Sequence, residues 1–144
     1  FNNDDIPQEG RYLLLDGQMY SQLLNSLTEN ENTAFLASAD AQNGILGKLF
    51  SFNIMMRSRA ALYTAAKAPK TWSTAGAATD LAAGLAWHEQ SVCRALGEVK
   101  AFENEGDATY YGDIYSFLVR AGGRIMREDK KGVIALVQGT PAAG

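Results

Sequence analysis

The sequence predicts an α+β domain, rich in strand and carrying two short helices, on three observations. Helical spacing is clearest between Met19 and Leu27, where Met19, Tyr20, Leu23, Leu24 and Leu27 return to one face. Most other apolar residues come in short runs bounded by turn formers, such as Leu13-Leu14-Leu15 and the β-branched run Val133-Ile134-Ala135-Leu136-Val137. Glycine is frequent, 14 in 144 residues, and punctuates the chain between these runs. A chain of this length suits one domain that buries roughly two-thirds of its unfolded surface.

In order, residues 1–10 are polar and end in Pro7-Gln8-Glu9-Gly10, a turn-type lead-in. Arg11-Tyr12-Leu13-Leu14-Leu15 reads as a buried strand. Asp16 then caps a helix over 17–28, because its carboxylate accepts the orphan N–H groups of the first turn. Thr28-Glu29-Asn30-Glu31-Asn32 reads as a solvated connection, and Ala34-Phe35-Leu36-Ala37 fits either a helical turn or an extended piece. Gln42-Asn43-Gly44 marks a turn. Residues 45–56 form one extended stretch, with Lys48, Phe50, Phe52 and Ile54 alternating against Leu49, Ser51 and Asn53; Gly47 marks a bulge or bend. A strand over 61–65 follows.

Residues 67–80 hold Pro69, several Thr and Ala, and one large apolar residue, Trp72. They form a loop longer than the usual connection, of the kind that is functional or mobile. Strand character returns over 81–87. A short helix over 89–96 would bury Val92, Cys93 and Leu96 and end at Gly97. Residues 98–103 alternate, and 103–107 make an acidic turn around Gly106. Over 110–127 one long strand is expected, kinked at Gly122-Gly123, since each glycine would weaken a helix by about 1 kcal/mol. A charged turn over 128–132, a strand over 133–137 and a frayed tail over 139–144 complete the chain. No internal repeat or low-complexity segment occurs.

Charge and residue chemistry exclude several classes. Thirteen Lys and Arg stand against 16 Asp and Glu, for a net charge of −3. With no basic cluster longer than Lys130-Lys131, a broad nucleic-acid-binding face is not expected. One cysteine makes no internal disulfide. No apolar run reaches the roughly 20 residues of a spanning helix. The start, Phe1-Asn2-Asn3-Asp4-Asp5, has no Met and no signal-peptide pattern, which suggests a fragment or processed form.

Catalytic motifs fail on spacing. His88-Glu89 begins like a zinc-protease motif, but Val92 sits where the second His is needed. His88 is expected at a strand end, satisfied by solvent or a carbonyl. Cys93 with His88 could pair a nucleophile with a base, yet Cys93 falls on the proposed apolar helix face, where a thiol is an inert hydrophobe. Gly44-Ile45-Leu46-Gly47-Lys48 is too short between glycines for a phosphate loop, and Leu49 replaces the required Ser or Thr. Gly122-Gly123 with Arg124 could hold an anion through backbone N–H groups, but a strand kink explains the glycines better. The carboxylate pairs Glu103 with Glu105 and Asp4 with Asp5 lie in polar segments that read as solvated surface. Trp72 and Trp87 read as packing residues, because no basic stripe accompanies them. No catalytic, cofactor or metal residue is therefore assigned, and a binding or assembly role is favoured.

Several strings, taken in order, resemble the C-terminal half of tailed-bacteriophage major capsid proteins of the Hong Kong 97-like fold. Ile6-Pro7-Gln8-Glu9-Gly10-Arg11-Tyr12-Leu13-Leu14-Leu15-Asp16 is similar to the family's segment after its long spine helix, and Met19 to Leu27 to the helix that follows. Asn43-Gly44 with Gly47-Lys48 and Phe50-Ser51-Phe52-Asn53-Ile54 resembles a glycine-rich strand of the family, with Ser51 where Gly commonly precedes the Phe. Leu85-Ala86-Trp87-His88-Glu89-Gln90-Ser91-Val92 is similar to its strand-then-helix segment. Gly112-Asp113 to Arg127, then Val133 to Val137, resembles its terminal pair of strands, without the usual Pro after the final Arg. The resemblance runs from about Ile6 to Gln138 and leaves the family's N-terminal arm, extended loop and spine helix without a counterpart.

The resemblance implies a lead-in over 1–10, an axial-type domain over 11–103 with loop 67–80 near the capsomer centre, and peripheral-type strands over 104–138. It implies a structural shell subunit that forms pentamers and hexamers of an icosahedral phage head around DNA. Its partners would be copies of itself, with room for other virion proteins. No enzyme activity, cofactor, membrane or sequence-specific nucleic acid is implied. The location would be the virion, after assembly in the bacterial cytoplasm. Encapsulin-type nanocompartment shells share the fold. The alternative is a small α+β module that binds a ligand or protein without catalysis.

Overall fold

A computed structural model describes residues 1–71, 74–107, 109 and 111–139, with Asp107 as backbone only. The α+β expectation holds. Its centre is a six-stranded mixed sheet. Strands β1 (Arg11–Asp16), β2 (Gly47–Leu49), β3 (Phe52–Arg57), β4 (Ala61–Tyr63), β5 (Leu81–His88) and β10 (Val133–Val137) belong to it. The order is β10-β5-β1-β3-β2, with β4 beside the first residues of β5. Only the β1–β3 pair is parallel, with Leu13 opposite Ile54. β5 lies inside the sheet with strands on both edges, and its residues alternate between buried and half-buried over most of its length.

Two helices, α1 (Gly17–Ser26) and α2 (Glu29–Ala37), cover one sheet face. The core forms where Leu15, Ile54 and Phe35 meet, with Met19, Tyr20 and Leu23 packed around them. Asp16 caps α1 as expected, accepting the Met19 N–H at 2.7 Å. The helix ends two residues earlier than expected, at Ser26. The connection expected over 28–32 is instead the start of α2. Its cause is a capping box, in which the Glu31 carboxylate accepts the Thr28 N–H at 2.9 Å.

The stretch 45–56 is not one strand but the β2–β3 hairpin. Phe50 and Ser51 form its turn with φ of 47° and 67°, the left-handed values that a two-residue hairpin loop needs. Gly47 is neither bulge nor bend. A Cβ there would come within 2.5 Å of the Phe35 ring, so glycine lets α2 lie close on β2. The strand expected over 61–65 closes at Tyr63.

The helix expected over 89–96 is absent. A single 3-10 turn over Glu89–Ser91 leads into strand β6 (Val92–Leu96). Apolar residues at 92, 93 and 96 fit either period in so short a window, and pairing across the chain decides for strand. The acidic turn expected over 103–107 is the outer part of β7 (Lys100–Asp107). The single strand expected over 110–127 is two, β8 (Gly112–Leu118) and β9 (Ala121–Ile125). They part at residues 119–120, before the glycines rather than at them.

Strand β8 pairs with β7 and β9 with β6, so 92–125 run out and back as one two-stranded ribbon. The Gly97 N–H donates to the Arg120 carbonyl at 2.8 Å where the two paired halves join. β10 returns to the central sheet, where it pairs with β5. Trp72 and the tail from residue 140 lie outside the described residues.

Candidate assembly surface

The residues that sequence chemistry singled out are dispersed and occupied. His88 is 3% exposed at the end of β5. Its Nε2–H donates to the Glu9 carbonyl at 2.9 Å and its Nδ1 accepts the Gln90 N–H at 3.2 Å, so both ring nitrogens are engaged and the tautomer is set. This is the carbonyl-satisfied histidine that its position at a strand end predicts. Cys93 is exposed on β6, not buried on a helix, and its thiol donates to the Arg124 carbonyl at 3.3 Å. His88 and Cys93 share no hydrogen bond, so they form no nucleophile–base pair.

Gly44 sits in a turn at φ 68°, closed by the Asp40 carboxylate, which accepts the Gln42 and Asn43 N–H groups. Trp87 stacks on Tyr12 with ring centroids 5.7 Å apart, a packing contact on the sheet. Gly122 and Gly123 lie opposite Ala95 and Arg94 in the ribbon. Glu103, opposite Tyr115, lies on the ribbon with Glu105, and Asp4 pairs with Lys131 at 2.8 Å. Among the described residues no cluster of three His, Cys, Asp or Glu is placed to hold a metal ion. Among the described residues no helix is long and apolar enough to cross a membrane.

Loop 67–80 is tied at its ends. Lys70 and Asp80 pair at 2.6 Å, and the Ala77 N–H donates to the same carboxylate at 2.7 Å. Both contacts hold the Asp80 carboxyl below its ordinary value, the Lys70 hydrogen bond most strongly.

One buried structural position escaped the sequence reading. Arg11 is 2% exposed, and its guanidinium donates to the Pro7 carbonyl at 2.7 Å and to the Ile6 carbonyl. It also lies 5.5 Å from the Phe1 ring centroid and 5.6 Å from that of Phe52. A cation heading an apolar strand run is the signal, because alternation turns Arg11 to the same face as Leu13 and Leu15. It ties the lead-in to the sheet.

What the molecule offers a partner is apolar surface. A groove of about 500 Å³ runs beside α1, between Met19 and Leu23 on the helix and Leu13, Phe52 and Leu136 on the sheet. Of the fifteen large apolar side chains exposed among the described residues, nine lie on the ribbon between 96 and 125. An isolated two-stranded ribbon is marginal in water, and exposed apolar patches of this kind mark interaction surfaces in general.

The architecture matches two solved structures over nearly its whole length. The capsid structure of the cyanophage P-SCSP1u aligns with 94% of this chain at a TM-score of 0.60 and 20% identity. A structure from Mycobacterium phage Che8 aligns with 93% at 0.58 and 16% identity. The fold is that of a phage capsid protein. The chain spans 42% and 43% of the lengths of those two chains, less than half of each. No protein-family description and no curated protein matches the sequence.

Proposed function

We propose that the chain is part of a major capsid protein of the Hong Kong 97-like fold, a subunit that assembles into the pentamers and hexamers of a phage head around DNA. The observation that carries this reading is the match of 94% of the chain to a phage capsid structure. In this reading the sheet with α1 and α2 serves as the axial-type part, and loop 67–80 points toward the capsomer centre. The ribbon serves as the peripheral-type part. Function is contact, not catalysis. The likeness to phage capsid structures supports a non-enzymatic role. The place of action is the virion, after assembly in the bacterial cytoplasm.

Electron microscopy of the product of the complete reading frame containing this sequence tests the reading. Rings or closed shells with five- and six-fold capsomers are expected, and a monodisperse monomer under all assembly conditions overturns it. The groove beside α1 favours a second reading, a small binding module, which the same experiment separates. It predicts a monomer that takes up an apolar ligand in the groove.

A further inference from the structure

We propose that the ribbons of two copies of this chain pack side by side and antiparallel, about a two-fold axis near residues 98–99. The proposal deepens the shell reading and rests on it for taking the partner to be a second copy. Its observation is a segregation of charge along the ribbon. Between 101 and 119 the sequence holds Glu103, Glu105, Asp107 and Asp113 and neither Lys nor Arg. The inner half, 92–97 with 120–127, holds Arg94, Arg120, Arg124 and Arg127 and neither Asp nor Glu. At the boundary Lys100 and Glu98 pair with each other at 3.3 Å.

Neither half neutralises itself. Arg94 lies across from Gly123 and Arg124 from Cys93, so no carboxylate faces either one. Among the described residues Arg94, Arg120 and Arg124 form no ion pair, and only Arg127 has one, to Asp129. A ribbon adapted to water alone intersperses its signs; one with the signs separated is matched to a partner of opposite polarity. The ribbon is its own such partner when reversed.

Spacing supports the two-fold. Arg94 and Glu103 stand four to five residues on either side of 98–99, about 15 Å each way at the rise of a strand. The return strand lies one strand further from the edge at 98–99, with Arg124 on the opposite face from Arg94, and Arg124 and Asp113 continue the same polarity at longer range. Rotation about that axis brings the acidic half of each copy onto the basic half of the other, every contact occurring twice. The axis itself falls beside Leu96 and Val99, 59% and 58% exposed, with Val119 on the strand behind. An apolar centre with charged flanks is the usual anatomy of a specific interface.

Sedimentation equilibrium of the chain at low and high salt tests the proposal. The parent is expected to dimerise, more weakly as salt rises. The inner variant Arg94→Glu/Arg124→Glu and the outer variant Glu103→Lys/Glu105→Lys should each dissociate at least about tenfold more readily. Mixed in equal amounts they should recover the dimer to within about threefold of the parent and stop there, because each then meets opposite charge in both halves. Circular dichroism confirms folding of each variant. If a reversed variant does not fold, Arg94→Gln/Arg124→Gln reads out the same loss without adding charge. A parent that stays monomeric up to about 1 mM overturns the pairing. So does equal association of parent and variants, in which case contacts elsewhere sustain the shell reading. So does a mixture that fails to recover or grows beyond dimers. The shell reading fails separately, when the complete product shows neither rings nor shells by microscopy.

Discussion

Arg11 shows how one buried cation organises a chain entry. Two backbone carbonyls and two aromatic rings surround its guanidinium. Arg11→Met keeps the bulk but leaves the Ile6 and Pro7 carbonyls without that donor, and should lower unfolding free energy by about 2–4 kcal/mol. Urea denaturation checks it, and an unchanged midpoint would show that both carbonyls find other donors. At the surface, the Arg127 guanidinium at 2.7 Å, and after it the Lys131 N–H, hold the Asp129 carboxyl down from 3.8 to about 2. The folded value is the depressed one, so this contribution is complete above pH 3.8 and fades as pH falls toward about 2. A carboxyl-carbon NMR titration of Asp129 with a midpoint near 3.8 would refute the pairing. The Asp16 cap and the carbonyl-bound His88 were legible in the sequence, because each depends on neighbours a few residues away or on a strand end. Arg11 was not, since Phe52 reaches it only through the sheet.

Among elements, the β2–β3 hairpin is the instructive one. Its turn holds Phe50 and Ser51 at positive φ without the Asn or Gly that normally announces such a turn. Ser51→Gly should therefore stabilise the chain by about 0.5–1 kcal/mol, measured by thermal or chemical unfolding. A loss instead would mean that the Ser51 hydroxyl, 3.4 Å from Arg11 Nη1, matters more than the backbone strain. Gly47→Ala, by contrast, should cost about 1–3 kcal/mol, since the new methyl meets the Phe35 ring at 2.5 Å and its carbonyl oxygen at 2.6 Å. Phe35→Leu on that background should relieve the cost only in part, because the carbonyl remains. Helix α2 was readable from Thr28 and Glu31 three residues later, yet it shows almost no apolar face and buries only Phe35. A search for amphipathic spacing passes over such a helix, although its cap is plainly written.

On the scale of the whole molecule, burial divides the chain unequally. The central sheet holds the core, while the ribbon touches little beyond itself. Amides of β6 to β9 should exchange with solvent far faster than those of β1 and β5 in the monomer, and slow markedly when copies associate. Hydrogen-exchange mass spectrometry reads both states, and ribbon protection equal to β5 in the monomer would contradict a surface that waits for a partner. The α+β class, the capped first helix and the strands at 11–15, 81–87 and 133–137 follow from local pattern, because burial and capping leave their periods in neighbouring residues. Apolar residues at 92, 93 and 96 left helix and strand open, and the alternation of 45–56 hid a turn. Pairing with 121–125, far along the chain, settled the first, and the positive φ of Phe50 and Ser51 the second. Distant pairing also set the return of β10 to β5 and the joining of four strands into one ribbon. Sequence period records which side of an element meets the core. Which strand lies beside it is set by hydrogen bonds between residues tens of positions apart, and those exist only once the chain has folded.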